Sequence, residues 1–302
     1  RFIHVLNRIG TWVLGIGIVV GFGYIFTHVQ SDDFLTRGSF NLAGWLATVS
    51  LAALWQIAFA PYVSDYSRYL PADVKVSSTF WTTYLGSALG SSLSFIFGAV
   101  AVLAIPAGMD TMDAVKLATG TLGPIMLVLF LLSVISHNAL NLYGAVLSII
   151  TLVQTFAYRW IPTAKSRAVL SLIVLSACCV VAVFASADFI GHFVDMVLVL
   201  LVVLVPWTAI NLIDFYVIHK GDYDIQSIFQ VDGGIYGRYN PQALIAYAVG
   251  IVVQIPFMNT PLYVGPISEH INGADLSWLV GLAITSPLYW WLASRAVSYT
   301  HL

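Results

Sequence analysis

The sequence predicts an all-α integral membrane protein, and three observations support this fold class. Of the 302 residues, 59% are hydrophobic and only 9% are charged, whereas about a quarter are charged in an ordinary soluble domain. Apolar runs of about 20 residues recur, which is the length that a helix needs to cross a bilayer. The runs are continuous, as in MVLVLLVVLVPWTAI, whereas the strands of a membrane β-barrel show short alternating patterns.

The apolar runs divide the chain into eight predicted spanning helices. Hydrocarbon offers backbone N–H and C=O groups no partner, so each span has to satisfy its own hydrogen bonds as a helix. The predicted boundaries are 9–28, 41–63, 79–105, 122–157, 168–187, 191–218, 241–258 and 275–293. Short loops connect them, except for GMDTMDAVKLATG and HKGDYDIQSIFQVDGGIYGRYN.

The second segment ends in FAPYVSDYSRYLP, where proline and charge interrupt an apolar run. Pro61 has no N–H and its ring opposes the carbonyl of Ile57, so we expect the helix to kink or break there. Trp55 and Phe59 are four residues apart and Gln56 precedes Phe59 by three, so two rings and an amide share one region of the helix surface. This surface could bind a flat aromatic ligand, or it could pack against a neighbouring helix.

The fourth segment, GPIMLVLFLLSVISHNALNLYGAVLSIITLVQTF, carries a dense group of polar residues near its middle. A polar group at membrane depth is costly, and it usually faces a cavity or a partner. The group consists of Ser133, Ser136, His137, Asn138, Asn141 and Tyr143. We therefore predict a buried hydrophilic cavity beside this helix.

The basic residues predict the orientation in the membrane. Short loops rich in Lys and Arg stay in the cytoplasm. With the N-terminus inside, all of the 12 basic residues except Arg37 and Lys116 lie on the inner side. We expect a multi-pass protein of the cytoplasmic (inner) membrane with a cytoplasmic N-terminus. The net charge of −2 gives no reason to expect a nucleic-acid partner.

The predicted domain organisation is one transmembrane domain over residues 1–295 followed by a short tail, 296–302. The chain starts at Arg1 without a methionine, and its first apolar run begins within ten residues. We expect an N-terminally truncated domain. The final AVSYTHL resembles the translation of a sequencing adapter, so we expect this tail to be non-native.

Three motifs, FAPYVSDYSRYLP, SHNALNLYG and DGGIYGRYN, together resemble the purine and cytosine permease branch of the nucleobase:cation symporter-1 family. They follow the family's order and spacing over residues 1 to about 295. The resemblance implies a twelve-helix LeuT-type arrangement, with two inverted five-helix repeats and two further helices. It also implies that the eight segments are helices five to twelve, that helices one to four are missing, and that the second segment is the discontinuous sixth helix.

The resemblance implies that a nucleobase is held between aromatic rings while amides and hydroxyls read its edge. On the second segment, the implied contacts are Trp55, Gln56 and Ala58, with Phe59 adjacent. The family's usual aromatic position carries Gln56 here. Either Trp55 or Phe59 is therefore expected to supply the stacking ring.

On the fourth segment, the resemblance implies both a substrate contact and a cation site. The family's substrate-reading asparagine corresponds to Asn138, with Asn141 placed in the same site. An amide donates and accepts at once, which suits cytosine or a purine. Sodium-coupled relatives bind the ion at positions that are Ser133, Ser136 and His137 here. The two hydroxyls suit Na+, whereas histidine titrates near neutrality, so Na+ and H+ both remain open.

The implied function is secondary transport, in which cytosine or a purine is imported with Na+ or H+ by alternating access and without a cofactor. Other substrates of the family remain open: allantoin, hydantoins, uracil, thiamine or a pyridoxine-like vitamin. An enzyme is disfavoured because the sequence has no H-E-x-x-H motif, no paired intramembrane carboxylates and no nucleophilic serine motif. A non-transport membrane subunit is disfavoured because it would not need the group of polar residues in the middle of the fourth segment.

Overall fold

A computed structural model of the chain describes residues 2–28, 39–67, 70–71, 73–105, 108–184, 189–260, 262–271 and 273–300. For residues 2–7, 66, 189–190 and 296–300 it describes the backbone alone. The chain forms two compact units. The first unit holds helices α1 and α3 to α6, and the second holds α2 and α7 to α11.

The described chain is almost entirely helical. The α-helices are α1 (Phe2–His28), α2 (Leu42–Ser67), α3 (Val76–Leu103), α4 (Thr111–Ala118), α5 (Gly123–Phe156), α6 (Ala164–Phe184), α7 (Phe189–Ile213), α8 (Ile225–Ile228), α9 (Pro241–Gln254), α10 (Pro266–His270) and α11 (Ser277–Thr300). A π-helical stretch, Asp214–Ile218, continues α7, and a 3₁₀ turn, Ile255–Phe257, continues α9. Two short antiparallel strands, β1 (Asn259–Thr260) and β2 (Tyr263–Val264), pair between α9 and α10.

Each predicted span contains a helix within its described residues, which confirms the all-α membrane class. Within the described ranges, six helices are long and apolar enough to cross a membrane by length and composition: Arg8–His28, Leu42–Asp65, Val76–Leu103, Gly120–Phe156, Ala164–Phe184 and Gly191–Ile218. The seventh predicted span is shorter, at Pro241–Phe257. The eighth is α11, which interrupts its apolar run with serine, proline and tryptophan and extends past the predicted end.

The predicted break at Pro61 is absent from α2. The helix runs without interruption from Leu42 to Ser67, with Pro61 inside it. A proline removes one backbone hydrogen bond and opposes one carbonyl, and the turns on either side keep their own bonds. The prediction of a discontinuous helix at this position was therefore wrong for this structure.

The first unit is held together by aromatic packing between α1, α3 and α5. The ring of Phe22 on α1 meets that of Phe97 on α3 edge-on, with centroids 5.1 Å apart. Gly21 lets this ring approach, since a Cβ there would lie 2.8 Å from Phe97 Cε2. Ile25 is fully buried in the same core. Met126 of α5 is buried in this core too, which places α5 beside α1.

The long predicted loop GMDTMDAVKLATG contains the helix α4, so it is a folded element. Asp110 caps this helix, since its side chain accepts a hydrogen bond from the backbone N–H of Met112 at 2.9 Å. Ala114, Val115 and Ala118 recur at helical spacing and are buried. This apolar stripe packs α4 against the first unit's core.

The second unit packs α2 and α11 against α7, with α9 on α7 and α11. Leu54 on α2 is buried together with Leu201 and Val205 on α7. Gly250 on α9 faces Pro206 of α7, where a Cβ would lie 2.7 Å from the proline Cβ. The close approach of α9 to α7 therefore depends on a residue without a side chain.

Candidate functional site

Helix α2 has a packed face and an uncovered face. Ser50 and Leu54 are 1% and 2% exposed, and Leu54 lies in the core with α7. Successive residues turn about 100° around a helix axis, so Trp55, Phe59 and Gln56 lie about 100 to 200° away from Leu54. Trp55 is 50% exposed, Gln56 is exposed and Phe59 is half-buried. Two rings and an amide thus lie on the face of α2 that packing leaves accessible.

Ala58 and Phe59 complete the predicted contacts on α2. Ala58 is half-buried and lies about 40° from Leu54, at the border of the packed face. The ring of Phe59 stacks on that of Tyr62, with centroids 6.2 Å apart. Phe59 therefore has a ring partner within α2.

The predicted residues of α5 are also left uncovered by the packing of their unit. Asn138, Asn141 and His137 are exposed, whereas Ser133 and Ser136 are half-buried. The buried residues of this helix are apolar or glycine. The asparagine amides are thus on the accessible surface of α5. Since α2 and α5 belong to different units, convergence of their two polar faces stays a prediction.

A cluster around Asp214 was not predicted from the sequence. Asp214 lies where α7 passes into its π-helical stretch, and its Oδ1 accepts a hydrogen bond from the Tyr289 hydroxyl of α11 at 2.5 Å. Its Oδ2 accepts from the Tyr223 hydroxyl at 2.6 Å. His219 Nδ1 lies 3.3 Å from the same oxygen without the alignment of a hydrogen bond. One carboxylate therefore joins the end of α7 to α11 and to the loop that follows α7. We call the four residues Asp214, His219, Tyr223 and Tyr289 the Asp214 cluster.

The loop after α7, residues 219–240, folds back over the Asp214 cluster; we call it the 219–240 connector. The ring of Tyr223 stacks on that of His219, with centroids 4.7 Å apart. The hydroxyl of Tyr236 accepts a hydrogen bond from the backbone N–H of Asp224 at 2.8 Å. Asn240 caps α9 by accepting from the N–H of Ala243 at 3.0 Å. The connector is therefore a folded segment.

The glycines of the DGGIYGRYN motif permit the turns of this connector. Gly233, Gly234 and Gly237 have φ angles of 82°, 53° and 72°, a region that glycine enters without steric cost. A Cβ on Gly234 would lie 2.6 Å from Cβ of Ser227. The motif therefore positions the Tyr236 hydroxyl to accept the hydrogen bond from the backbone N–H of Asp224.

Two ionisable groups of the connector have shifted pKa values. Burial, followed by the hydrogen bond and the negative charge of Asp214, raises the pKa of Tyr223 above its usual value. The hydroxyl of Ser227 and backbone N–H donors lower the pKa of Asp224. Tyr223 is therefore a neutral donor at physiological pH, and Asp224 is an ionised helix cap.

An open cavity of about 1040 Å³ lies beside the Asp214 cluster. Its lining includes Asp214, His219, Tyr223, Tyr236, Asn240 and Tyr289. Within the part of the chain that the structure describes, no group of three or more His, Cys, Asp or Glu side chains could hold a metal ion. One signal in the sequence pointed here, because Asp214 lies inside the predicted span 191–218 and an acid in a span usually has a partner.

Six helices that are long and apolar enough to cross a membrane define an integral membrane protein within the described part of the chain. The chain belongs to the family of permeases for cytosine/purines, uracil, thiamine and allantoin, which residues 2–281 match. This confirms the resemblance drawn from the three motifs. Because the matched family consists of permeases, the match also confirms the prediction that the chain is not an enzyme.

Two curated relatives resemble the chain over most of its length. A protein named putative purine-cytosine permease YxlA of Bacillus subtilis is 36% identical over 291 residues, which cover 95% of this chain and 63% of the relative. A protein named purine-cytosine permease fcyB of Emericella nidulans is 24% identical over 285 residues, covering 87% of this chain and 54% of the relative. The chain thus spans less than two thirds of the length of either relative. No solved structure matches it.

Proposed function

We propose that the whole permease imports a nucleobase, cytosine or a purine, together with Na+ or H+ by alternating access. The observation that carries this proposal is the division of α2 into a packed face and an accessible face. The accessible face offers Trp55, Gln56 and Phe59 to a ligand, while Leu54 fixes the opposite face. Rings that stack and an amide that reads an edge suit a flat heterocycle with donors and acceptors. Two relatives are named purine-cytosine permeases, which supports this substrate class.

In this proposal, α5 supplies the second set of substrate contacts. Asn138 and Asn141 are three residues apart, so their amides share one side of the helix. Both are exposed, which leaves their donors and acceptors accessible to a ligand. Asn138 binds the substrate edge, Asn141 assists it, and either Trp55 or Phe59 stacks on the ring. Ala58, at the border of the packed face, limits the size of the site.

The coupling cation is proposed to bind one turn before Asn138. Ser133 and Ser136 are half-buried and offer hydroxyl oxygens, which suit Na+. His137 is exposed, and its imidazole offers a proton acceptor in the same turn. The same turn therefore accommodates either form of coupling.

The membrane arrangement belongs to the same proposal. The permease lies in the cytoplasmic membrane, with the start of this chain on the inner side. A LeuT-type fold has inverted repeats that rock around a midplane site. The eight helical segments then act as helices five to twelve of the single transmembrane domain 1–295, and four preceding helices provide the remaining contacts.

The substrate proposal is tested by uptake of radiolabelled cytosine and of a radiolabelled purine into cells that express the whole permease. Asn138→Ala removes hydrogen bonds worth about 1 to 3 kcal/mol, so we expect KM to rise roughly five- to 150-fold while the amount in the membrane is unchanged. Asn211→Ala is the matched control, because the Asn211 amide bonds to the Trp207 carbonyl within α7. Wild-type KM in Asn138→Ala would remove this residue from the site.

Competition separates the nucleobases from the other substrates of the family. Unlabelled cytosine, purine, uracil, allantoin and thiamine are each added to the uptake assay. We expect cytosine or a purine to compete at the lowest concentration. Stronger competition by allantoin or thiamine would contradict the proposed substrate class.

The coupling cation is tested by changing one ion at a time. Sodium is replaced by choline at fixed pH, and pH is then varied from about 5.5 to 8 at fixed sodium, around the usual pKa of histidine. Loss of uptake in choline supports Na+ at Ser133 and Ser136. Stimulation by acid without any effect of choline supports H+. If neither change alters uptake, cation coupling is wrong.

A further inference from the structure

The hydroxyl of Ser50 joins α2 to the start of α11. Trp278 Nε1–H donates to Ser50 Oγ at 3.0 Å. Ser50 Oγ lies 3.2 Å from the carbonyl oxygen of Asp275 and 3.0 Å from that of Leu46, so its single proton serves one of these two acceptors. Ser50 is 1% exposed, so water does not compete for these bonds. A directional polar contact therefore links two helices that otherwise meet through apolar side chains.

The α11 side of this link is held firmly by Asp275. This carboxylate is 6% exposed, and its Oδ1 accepts from the N–H of Ser277 at 2.9 Å and from the Ser277 hydroxyl at 2.6 Å. Its Oδ2 accepts from the N–H of Asn259 in β1 at 3.0 Å. Asp275 thus fixes the first turn of α11 to the β1–β2 hairpin. Trp278, in that first turn, donates to Ser50 from a constrained backbone.

The same tryptophan also packs on the apolar face of α2. Trp278 contacts the buried cluster of Leu54, Leu201 and Val205. Leu54 is one turn after Ser50, so the hydrogen bond and the apolar contact lie on the same face of α2. Apolar packing has little directionality, whereas a hydrogen bond weakens steeply with misalignment. The Ser50 link is therefore the contact that selects one rotation of α2 about its axis.

We infer that Trp278 is a positioning residue for the accessible face of α2, acting through the Ser50 hydroxyl. This inference rests on the proposed function for its effect on substrate. Trp55 follows Ser50 by five residues, about 7.5 Å along the helix. Gln56 follows by six. A rotation of α2 would carry both residues away from the orientation in which the amide reads the edge of a ring.

Transport provides the first test, which compares two substrates. Trp278→Phe keeps an aromatic ring but removes the N–H, and Ser50→Ala removes a single oxygen. Loss of one such bond is worth roughly a three- to tenfold change in an equilibrium constant. We expect each variant to change the ratio of the KM for cytosine to the KM for a purine by this amount. A purely structural defect lowers the amount of folded protein and leaves that ratio unchanged.

A matched control and a double variant sharpen the transport test. Trp290→Phe makes the same chemical change at an exposed position of α11 and should leave the ratio at its wild-type value. Adding Trp278→Phe to Ser50→Ala should change the ratio no further, because Ser50→Ala has already removed the acceptor of the Trp278 N–H. Additive effects, or a wild-type ratio in both single variants, would overturn the inference.

Cysteine labelling tests the same inference without any transport. In the permease with Cys178, Cys179 and every cysteine outside this chain replaced by serine, Gln56→Cys is labelled with a maleimide, and total thiol is measured after denaturation. Adding Ser50→Ala should change the labelling rate about three- to tenfold, since the bond that fixes the face of α2 is lost. An unchanged rate would refute the positioning role. A changed labelling rate, together with no uptake of any nucleobase by the wild-type permease, would retain the positioning role and reject the proposed substrate.

Discussion

The side-chain amide of Gln254 on α9 donates a hydrogen bond of 3.0 Å to the carbonyl oxygen of Val202 on α7. Val202 is four residues before Pro206, which has no N–H to give to that carbonyl. Gln254 is fully buried, so it supplies a donor where water has no access. It also donates to the carbonyl of Gly250 at 2.8 Å, within its own helix. Pro206 of α7 and Gln254 of α9 therefore form a complementary pair, because the glutamine amide supplies the donor that the proline lacks.

This pair predicts a specific dependence of stability on both residues. Gln254→Leu leaves the Val202 carbonyl buried without a donor, which costs about 1 to 3 kcal/mol. The buried Oε1 of Gln254 has no hydrogen-bond partner, and its removal offsets part of this cost. We expect a lower melting temperature in detergent, measured by thermal unfolding of the purified permease.

Pro206→Ala provides the matched background for this measurement. It restores a backbone N–H that can serve Val202 within α7, so Gln254→Leu should cost less there than in the wild type. Gln226→Leu, in the exposed connector, controls for the general effect of adding a leucine. An equal loss of stability in both backgrounds would show that Gln254 acts independently of the proline.

The helices of this protein could be predicted from the sequence because long apolar runs leave the backbone no other way to bond. The predicted break at Pro61 was wrong because a local rule gives the cost of a proline but not the packing around it. Leu54 anchors α2 to α7 about two turns before that proline. The helix continues through Pro61 and keeps Trp55 and Gln56 on a regular helical surface.

The Asp214 cluster shows what the sequence alone could not provide. Tyr289 is 75 residues from Asp214 along the chain, and only the packing of α11 on α7 brings the hydroxyl to the carboxylate. The DGGIYGRYN motif was recognised by resemblance, with no physical reason for its glycines. The positive φ angles of Gly233 and Gly234 and the contact with Ser227 supply that reason.

The Asp214 cluster predicts that two tyrosine hydroxyls hold the 219–240 connector closed. The hydroxyl of Tyr223 donates to Asp214, and that of Tyr289 accepts from the Asn240 amide at 3.5 Å. Tyr289→Phe removes the acceptor of the Asn240 amide, and Asp214→Ala removes the acceptor of the stronger Tyr223 bond, so we expect faster opening of the connector in that order of severity. Lys220 and Arg238 are exposed sites for trypsin within the connector. Cleavage at these two sites, followed by mass spectrometry under native conditions, measures the opening.

The control for this experiment is Tyr239→Phe, which removes a hydroxyl from an exposed ring in the same connector. It should be cleaved at the wild-type rate. If Tyr289→Phe and Asp214→Ala were also cleaved at that rate, the two hydroxyl bonds would not hold the connector in place.

Replacing two glycines of the connector by alanine is predicted to lower the stability of the folded protein for different physical reasons. Gly234→Ala places a side chain at a positive φ and brings its Cβ to 2.6 Å from Ser227 Cβ. Gly237 also has a positive φ, but the nearest neighbour of a Cβ there, the carbonyl oxygen of Tyr239, would be 4.0 Å away. Gly237 combines a φ of 72° with a ψ of 167°, a backbone region essentially confined to glycine, so Gly237→Ala should cost about 1 to 3 kcal/mol through the backbone alone. Gly234→Ala should show a backbone cost together with the cost of the contact with Ser227. Thermal unfolding measures both losses, and a wild-type melting temperature in Gly234→Ala would contradict the contact with Ser227.

The neutral hydroxyl of Tyr223 predicts a dependence of stability on alkaline pH. Burial and the Asp214 carboxylate raise the pKa of this tyrosine in the folded protein. A raised folded-state pKa gives stability that is complete below the unfolded pKa, about 10, and is lost as the pH rises through the folded value. Above pH 10 the unfolded chain releases this proton while the folded chain retains it.

The comparison with Tyr223→Phe isolates this effect, because phenylalanine has no proton to lose. Wild type should be more stable than the variant from pH 7 to about 9, where the bond of 2.6 Å to Asp214 is intact. Its advantage should shrink as the pH rises above about 10, since ionisation then favours the unfolded chain. Thermal unfolding of both proteins across this range measures the difference. An advantage that stays constant or grows with pH would mean that Tyr223 does not hold its proton through the contact with Asp214.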